Sequence, residues 1–404
     1  MNRFDLVRSL LEDGNVFNRS LPSADNSHSA SAAGAAWLGA AHLIVDAVCV
    51  ASVLRAAPPS DSVVSSALVF VLGYDLLAFA GQAPLGWLSD RLGLRRGAAL
   101  TGLLLTAVAL LASPTFGTAV AVLAGVGNAL FHVGAGAMVL AGSKGRAAPP
   151  GIFVAPGALG LGIGLLLGRK FLAVPMWPWL VAIAAACVMV LFVAAKPPSR
   201  VQTTSIHPGT LPDFSRGEVA LVVALLSLSV AVRSLAGTVA CDACPRGLFL
   251  LVALPVAAFA GKLSGGFLAD RFGWIDLSMV ALLASAPLMA FSGGDLWLAL
   301  PGILIFQMTM PVTLAAMMRL WPTRPAFGFG LLCVALVAGT LPVYLPGGWR
   351  PQGTPLFLLV LGSAAALYLA LRMLLVPRPS GMASSIAPNS SNSSNSSTLC
   401  GDNP

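Results

Sequence analysis

The sequence predicts an all-α polytopic membrane protein with twelve transmembrane helices in two pseudo-symmetric six-helix bundles. The first observation is composition: of 404 residues, 57% are hydrophobic and only 9% are charged, whereas soluble domains carry roughly 25% charged residues. The second is length, because apolar runs of about 17–25 residues, enough to cross a ~30 Å hydrocarbon core, recur along most of the chain. The third is a duplicated loop motif. Inside lipid each backbone polar group must be bonded within its own segment, so the apolar runs are predicted to be helices.

Each predicted span is one of these apolar runs, bounded by polar, Gly-rich or Pro-rich residues. The third and ninth spans are the shortest. The spans are predicted at residues 34–55, 62–88, 98–113, 117–142, 150–168, 175–195, 217–239, 246–268, 275–292, 295–317, 325–345 and 354–376.

A motif that occurs twice divides the chain into halves. The first copy reads Gly86-x-Leu88-x-Asp90-Arg91-x-Gly93 and the second reads Gly266-x-Leu268-x-Asp270-Arg271-x-Gly273. Each copy follows an even-numbered span and is predicted to open a short loop. Together with a polar, Pro-rich stretch between the sixth and seventh spans, the repeat predicts five segments: an N-terminal segment 1–33, a bundle 34–195, a linker 196–216, a bundle 217–376 and a disordered tail 377–404.

The first copy continues through Leu94 into Arg95 and Arg96, which is close to a G-x-L-x-D-R-x-G-R-R pattern. In this the chain resembles the major facilitator superfamily. Within that superfamily it is most similar to the fosmidomycin-resistance type of drug exporters, on the stretches AAHLIVDAV (40–48), YDLLAFAGQAPLGWLSD (74–90), NALFHVGAG (128–136), VRSLAG (232–237) and RLWPTRPAFGFG (319–330).

The resemblance implies a secondary active transporter that works by alternating access, with proton-coupled efflux of a small drug-like or anionic molecule as the favoured activity. An importer or uniporter of a sugar, organic acid or other small solute is the alternative with the same fold. A membrane-embedded enzyme or a non-transporting scaffold is the remote alternative. We expect small-molecule substrate, protons and the lipid bilayer as partners, a monomer, and no cofactor.

The resemblance also implies a role for the repeated motif, which would join the two halves on the cytoplasmic side when the protein is open outward. The alternative is that its positive charges only fix the topology. The second copy departs from the pattern, because Trp274, Ile275 and Asp276 stand where basic residues would follow. We therefore expect the N-terminal copy to join the halves more strongly.

Basic residues are distributed unevenly over the predicted loops. Most of the 23 Lys and Arg residues fall on one side, which by the positive-inside rule is the cytoplasm. This predicts a cell-membrane protein with both termini cytoplasmic, and it accounts for the net charge of +8 without a nucleic-acid partner. The polar N-terminal segment lacks the apolar core of a signal peptide.

Ionisable side chains at membrane depth cost about 2.5–3.5 kcal/mol each on insertion scales, so each one requires a reason. His42 and Asp46 are four residues apart in span 1, and Asn128 and His132 are four apart in span 4, so each pair shares a helix face. The resemblance implies that spans 1, 4, 7 and 10 line a central cavity. We predict that Asp46, His132 and His42 carry a coupling proton, since burial disfavours the charged forms of both carboxylate and imidazole.

Arg233 in span 7 is predicted to attract an anionic substrate or to hold Asp46 ionised. Gln307, Asn128, Gln82 and Asp75 are further substrate-cavity candidates, and Asp75 is equally compatible with structural pairing. The alternative for the cavity is a static Asp46–Arg233 ion pair, with both histidines bonded to backbone carbonyls.

Three remaining features favour structural roles. Lys262 in span 8 is predicted to extend its amine to the membrane surface or to neutralise a carboxylate. Gly160, Gly164 and Gly168 recur every four residues in span 5, a stripe that permits close helix packing. Cys241 and Cys244 form a lone C-x-x-C pair, which we interpret as two inert thiols. The sequence contains no catalytic triad, P-loop or metal-ligand cluster, so we predict neither an enzyme nor a metal site.

Overall fold

The chain folds into membrane-crossing helices, α1 to α12, in a computed structural model that describes residues 26–58, 66–113, 117–169, 174–195, 214–345 and 347–376. Within these ranges the regular structure is entirely helical. The helices are α1 Asn26–Ala56, α2 66–92, α3 Arg95–Ala112, α4 Gly117–Gly142, α5 Ala148–Gly168, α6 Trp177–Ala195, α7 Arg216–Val239, α8 Leu248–Phe272, α9 Trp274–Ala290, α10 Leu296–Leu320, α11 Pro325–Tyr344 and α12 Thr354–Leu375.

The predicted fold class is confirmed. Ten of these helices are long and apolar enough to span a membrane, and α6 and α9 add two shorter apolar helices. Each lies on one predicted span, because a backbone in hydrocarbon has to satisfy its hydrogen bonds locally.

The motif is more helical than predicted. We expected each copy to open a loop, but α2 continues to Leu92 and α8 continues to Phe272. Asp90 and Asp270 therefore lie in the last turns of their helices, and the reversal is left to Gly93 (φ 68°) and Gly273 (φ 101°). Glycine adopts these positive φ values without steric cost. We call the side of the membrane on which these two turns lie the loop side.

Two helices are irregular at membrane depth. In α2 a five-residue π-helix, Leu76–Ala80, follows Asp75. In α10 the helix stops at Gln307 and restarts at Met310. Pro311 accounts for the second break, because proline has no N–H and its ring clashes with the carbonyl four residues earlier, here that of Gln307.

The predicted close packing of the span 5 glycines is confirmed. A Cβ on Gly160 would overlap the Leu43 carbonyl, and one on Gly164 would overlap Ala47 and Val50. The glycine stripe on α5 therefore lets α1 pack closely against α5. Between the two sets of six helices, the main contacts are α5 with α8 and α2 with α11.

The five-segment division stays a prediction at its ends. Residues 1–25, 196–213 and 377–404, which hold most of the predicted N-terminal segment, the linker and the tail, lie outside the described residues.

Candidate functional site

The predicted polar residues of the first and fourth spans form one cluster. His42 Nε2 lies 2.7 Å from His132 Nε2 and 3.1 Å from the Asp46 carboxylate. His132 Nε2 is 3.7 Å from the other carboxylate oxygen. That oxygen also accepts a 2.9 Å hydrogen bond from the Asn128 amide. The i, i+4 spacing on each helix and the close approach of α1 and α4 bring together all four residues, which we call the His–Asp cluster.

Backbone carbonyls fix which nitrogen of each ring carries hydrogen. His42 Nδ1 lies 2.9 Å from the Phe153 carbonyl, and His132 Nδ1 lies 2.8 Å from the Asn128 carbonyl. A carbonyl oxygen only accepts, so each Nδ1 donates. In two neutral rings, both Nε2 lone pairs would then face each other across 2.7 Å, with a carboxylate beside them. Three acceptors that converge in this way require a cation among them, which is a proton or a metal ion.

Aromatic rings cover the cluster towards the loop side. The Phe153 ring centroid lies 4.9 Å from that of His42, and the Phe329 centroid lies 6.4 Å from that of His132. Phe153 and Phe329 stand near the loop-side starts of α5 and α11, and their own centroids are 6.2 Å apart. Gly157, one turn beyond Phe153, gives the His42 ring its room, since a Cβ there would overlap the imidazole.

Arg233 on α7 is buried against α10, and most of its donors have no partner among the described residues. It is only 3% exposed. Its Nη1 donates to the Met310 sulfur at 3.0 Å and to the Thr313 hydroxyl at 3.3 Å, just after the break in α10. Among the described residues its Nε and Nη2 have no hydrogen-bond partner. A buried guanidinium with unused donors is a site for an anion.

The alternative of an Asp46–Arg233 ion pair is wrong for the part of the chain that the structure describes, because the ion pairs of Asp46 there are with His42 and His132. The other half of that alternative is confirmed, since both histidines bond to backbone carbonyls.

Lys262 adds a second cation on the same side as Arg233. It interacts electrostatically with Asp46, His132 and Arg233. Within the described ranges no carboxylate lies within ion-pair distance of it, so it makes no direct ion pair there. That it neutralises a carboxylate at longer range stays a prediction. Gln307, at the end of the first segment of α10, packs its Cβ near Gly261 on α8.

Gln82 and Asp75 do not join the cluster. Gln82 is fully buried and donates to the Ala78 carbonyl within α2, while Gly330 of α11 packs against its backbone. It therefore belongs to the α2–α11 contact. Asp75 is half-buried at the start of the π-helix, and the structure gives it no hydrogen bond or ion pair to another described residue.

The first motif copy caps a helix of the other half. Asp90 accepts a 2.9 Å hydrogen bond from the Phe327 amide at the start of α11 and lies 3.4 Å from Arg95. Helix α11 has no side-chain cap of its own, so Asp90 binds a backbone N–H that is otherwise without a partner and complements the helix dipole. Gly86 lets the helices meet, because a Cβ there would overlap the Ala326 carbonyl. Arg91 stacks on Trp87.

The second motif copy caps helix α5, which belongs to the first half, in the same way. Asp270 accepts hydrogen bonds from the amides of Ala147 (2.7 Å) and Ala148 (2.9 Å) and one from Trp274 Nε1 (3.3 Å). A Cβ on Gly266 would overlap Ala147 and Ala148. We call these two joints the α2–α11 latch and the α8–α5 latch.

The C-x-x-C pair lies beyond the end of α7 on the opposite side. Both thiols are free. Burial, with a smaller contribution from the neighbouring Cys244 thiol, raises the pKa of Cys241 to about 12, so Cys241 stays protonated and unreactive at neutral pH.

Sequence reasoning missed several members of this site. Phe153, Gly157, Met310 and Thr313 are apolar or small residues without a distinctive local pattern. The convergence of His42, Asp46 and His132 was also missed as a metal-ligand set, although their ligand atoms lie within 4.8 Å of one another. The sequence signal that could have found this set was the pair of i, i+4 spacings in spans 1 and 4. The packing of α1 on α4, which brings the two pairs together, is visible only in the structure.

Comparison with solved structures shows that the chain has the major facilitator fold. It matches a variant of the E. coli fucose:proton symporter FucP with a TM-score of 0.59 and 13% identity over 85% of this chain and 97% of that one. FucP in the outward conformation gives 0.59 and 13% over 84% and 98%. A bacterial homologue of the iron transporter ferroportin, in an outward-facing state, gives 0.49 and 15% over 86% and 98%. No protein-family profile and no curated protein sequence matches the chain.

Proposed function

We propose that this chain is a secondary active transporter of the major facilitator superfamily, most similar to the fosmidomycin-resistance type, which exports a small anionic or drug-like molecule in exchange for protons. One observation carries the proposal. A His–Asp cluster that needs a cation lies on the α1–α4 side, and a buried arginine with free donors lies on the α7–α10 side. Ionisable residues at membrane depth mark substrate and proton pathways, and carriers of this architecture bind substrate between their two bundles.

The proton half of the exchange belongs to the His–Asp cluster. A proton shared between the His42 and His132 Nε2 atoms satisfies both lone pairs and balances Asp46. Asp46 is the most accessible member, with 18% of its side chain exposed. Loss of the proton would leave three converging acceptors, which destabilises this arrangement and couples protonation to conformation.

The substrate half belongs to the opposite bundle. Arg233 offers two donor nitrogens, Nε and Nη2, that have no partner among the described residues, and Lys262 places a second positive charge nearby. The Met310 end of the second α10 segment also carries the positive end of a helix dipole. A carboxylate, phosphate or phosphonate fits this environment, and Gln307 at the break in α10 supplies an amide to such a ligand.

The two latches define which side is closed. Both join the bundles on the loop side, which the positive-inside rule assigns to the cytoplasm. Phe153 and Phe329 cover the cluster on the same side. We therefore interpret this conformation as open outward, with the latches breaking when the carrier turns inward. The plasma membrane, cytoplasmic termini and a monomeric state complete the proposal.

The test is flux in vesicles that contain the purified protein and an imposed proton gradient. Fosmidomycin is the first solute, followed by a panel of small organic anions. We expect solute movement opposite to the proton flow, and loss of this pH dependence in Asp46→Asn. The matched control is Asp242→Asn, since Asp242 is a half-exposed partner of Arg350 far from the cluster.

The outcomes separate the alternatives. Movement of solute in the same direction as protons would make the chain a symporter of the same fold. Unchanged pH dependence in Asp46→Asn would remove the cluster from coupling. No movement of any solute would favour a non-transporting membrane protein.

A further inference from the structure

We propose that the Nε2 atoms of His42 and His132 and the carboxylate of Asp46 form a binding site for a divalent transition-metal ion of the Zn²⁺ class. The inference goes beyond the proposed function, because binding at equilibrium requires no transport in either direction.

The distances are those of a site that needs only small side-chain adjustments. Zn²⁺ binds His nitrogen at about 2.0–2.1 Å and carboxylate oxygen at about 2.0–2.2 Å, so tetrahedral ligands lie about 3.3 Å apart. In the cluster the two Nε2 atoms are 2.7 Å apart, His42 Nε2 lies 3.1 Å from one oxygen of Asp46, and His132 Nε2 lies 3.7 Å from the other oxygen. With one oxygen as the ligand, all three ligand atoms lie within 4.8 Å of one another. Insertion of the ion pushes the two imidazoles apart by roughly half an ångström and draws one carboxylate oxygen inward.

The surrounding hydrogen bonds hold the ligands in the form that binds metal. Metal-binding histidines donate their other ring N–H to a carbonyl or carboxylate, which fixes the tautomer with the lone pair on the ligating nitrogen. Both histidines here do so, to the Phe153 and Asn128 carbonyls. The Asn128 amide restrains the carboxylate. A residue placed only for packing does not need all three restraints.

The donor set indicates the class of metal. Two imidazoles and one carboxylate suit Zn²⁺, Co²⁺ and related first-row ions, whereas Mg²⁺ and Ca²⁺ prefer oxygen ligands only. The partial exposure of Asp46 leaves a direction from which a water or a substrate atom completes the coordination. The site therefore has three protein ligands and one open position, as exchangeable Zn²⁺ sites have.

Charges from the other helices set the affinity. Lys262 on α8 interacts electrostatically with Asp46 and His132, and Arg233 on α7 interacts with Lys262. Both positive charges oppose a metal ion at the cluster. The metal takes the place of the proton that otherwise lies between the imidazoles, so only the charge difference between the two ions acts against it. An anion bound at Arg233 would reduce this repulsion.

The experiment is a titration of the purified full-length chain in detergent with Co²⁺, followed by displacement with Zn²⁺. We expect visible ligand-field absorption that saturates at one ion per chain, without the thiolate charge-transfer band that cysteine ligands give. Zn²⁺ should abolish the absorption. His132→Gln and Asp46→Asn should lose it, and Asn128→Ala should weaken binding by about tenfold through the loosened carboxylate.

Two further variants leave the ligands in place, the first as a control and the second as a test of the geometry of the site. Cys241→Ser with Cys244→Ser removes the other metal-binding motif and should bind Co²⁺ as the original chain does. Gly157→Ala changes no polar group, but its methyl group would overlap the His42 ring, so it should weaken binding through geometry alone.

Absence of a saturable Co²⁺ spectrum in the original chain would overturn the inference, and so would a spectrum that survives both His132→Gln and Asp46→Asn. A thiolate charge-transfer band would overturn it without any variant. If metal binding fails while Asp46→Asn still abolishes pH-dependent flux, the proposed transport function stands and only the metal site is lost.

Discussion

The two copies of the motif perform the same task with different chemistry. In the α2–α11 latch the Asp90 side chain is only 5% exposed and meets one backbone amide and one arginine. In the α8–α5 latch Asp270 lies at an exposed position and accepts from two amides and an indole. The Asp90 side chain is the less exposed of the two and has fewer partners, whereas Asp270 is more exposed and has more partners.

The difference follows from the local sequence. The first turn of helix α5 contains Pro149 and Pro150, which have no N–H, so Ala147 and Ala148 provide the amides at its start for which Asp270 is the acceptor. Ile275 and Asp276 stand where the first copy has Arg95 and Arg96, and the neighbouring Trp274 donates to the same carboxylate instead. The second copy therefore compensates for its missing arginines. The expectation that the first latch is the stronger one stays a prediction, and it now depends on burial rather than on the number of bonds.

The largest effect should come from removal of the carboxylates, in Asp90→Ala and Asp270→Ala. Hydrogen bonds to charged groups contribute about 1.5–3 kcal/mol, and the contribution falls as the charged group becomes more exposed to solvent. Hydrogen–deuterium exchange at the start of α11 should therefore rise about tenfold or more in Asp90→Ala. Exchange at the start of α5 should rise less in Asp270→Ala. An equal or larger rise at α5 would reverse the ranking of the two latches.

A somewhat smaller effect should follow from adding one methyl group at the helix contacts, in Gly86→Ala and Gly266→Ala. Each new Cβ would overlap backbone of the facing helix, and overpacking costs about 1–3 kcal/mol. Both variants should lower the melting temperature. Gly237→Ala is the matched control, since its Cβ would meet no atom within 4 Å and alanine favours a helix. A control that melts as early as either variant would refute the packing argument.

The smallest effect should come from the side-chain partners of each carboxylate, in Arg95→Gln and Trp274→Phe. Their bonds to Asp90 and Asp270 are long, at 3.4 and 3.3 Å, and phenylalanine keeps the ring that packs under Arg319. Each change should raise exchange at the latched helix by at most about fivefold, as expected for partly exposed pairs. Added salt should reproduce the Arg95→Gln effect in the original chain and leave the Trp274 latch unchanged.

The candidate site was predictable in part. The pairs His42–Asp46 and Asn128–His132 are visible as i, i+4 spacings in apolar spans, because a charge at membrane depth needs a partner. Gln82 is equally easy to recognise in the sequence as a polar residue in an apolar span, yet its amide binds the Ala78 carbonyl of its own helix. Polarity at membrane depth therefore does not by itself distinguish cavity residues from packing residues. Arg233 was identified, but its partners Met310 and Thr313 depend on the Pro311 break.

The sequence alone determined the fold class, the positions of the twelve spans and the repeat that relates the halves. These follow from local rules: the length of apolar runs, the obligation to bond the backbone in hydrocarbon, and the glycine turns. Only the tertiary structure decided that Asp90 and Asp270 cap helices of the opposite half, that Asp46 pairs with two histidines rather than with Arg233, and that two imidazoles point their lone pairs at one another. Apart from the His42–Asp46 pair within α1, these contacts join residues about 80 to 240 positions apart. They depend on the crossing and rotation of packed helices, which no local pattern encodes.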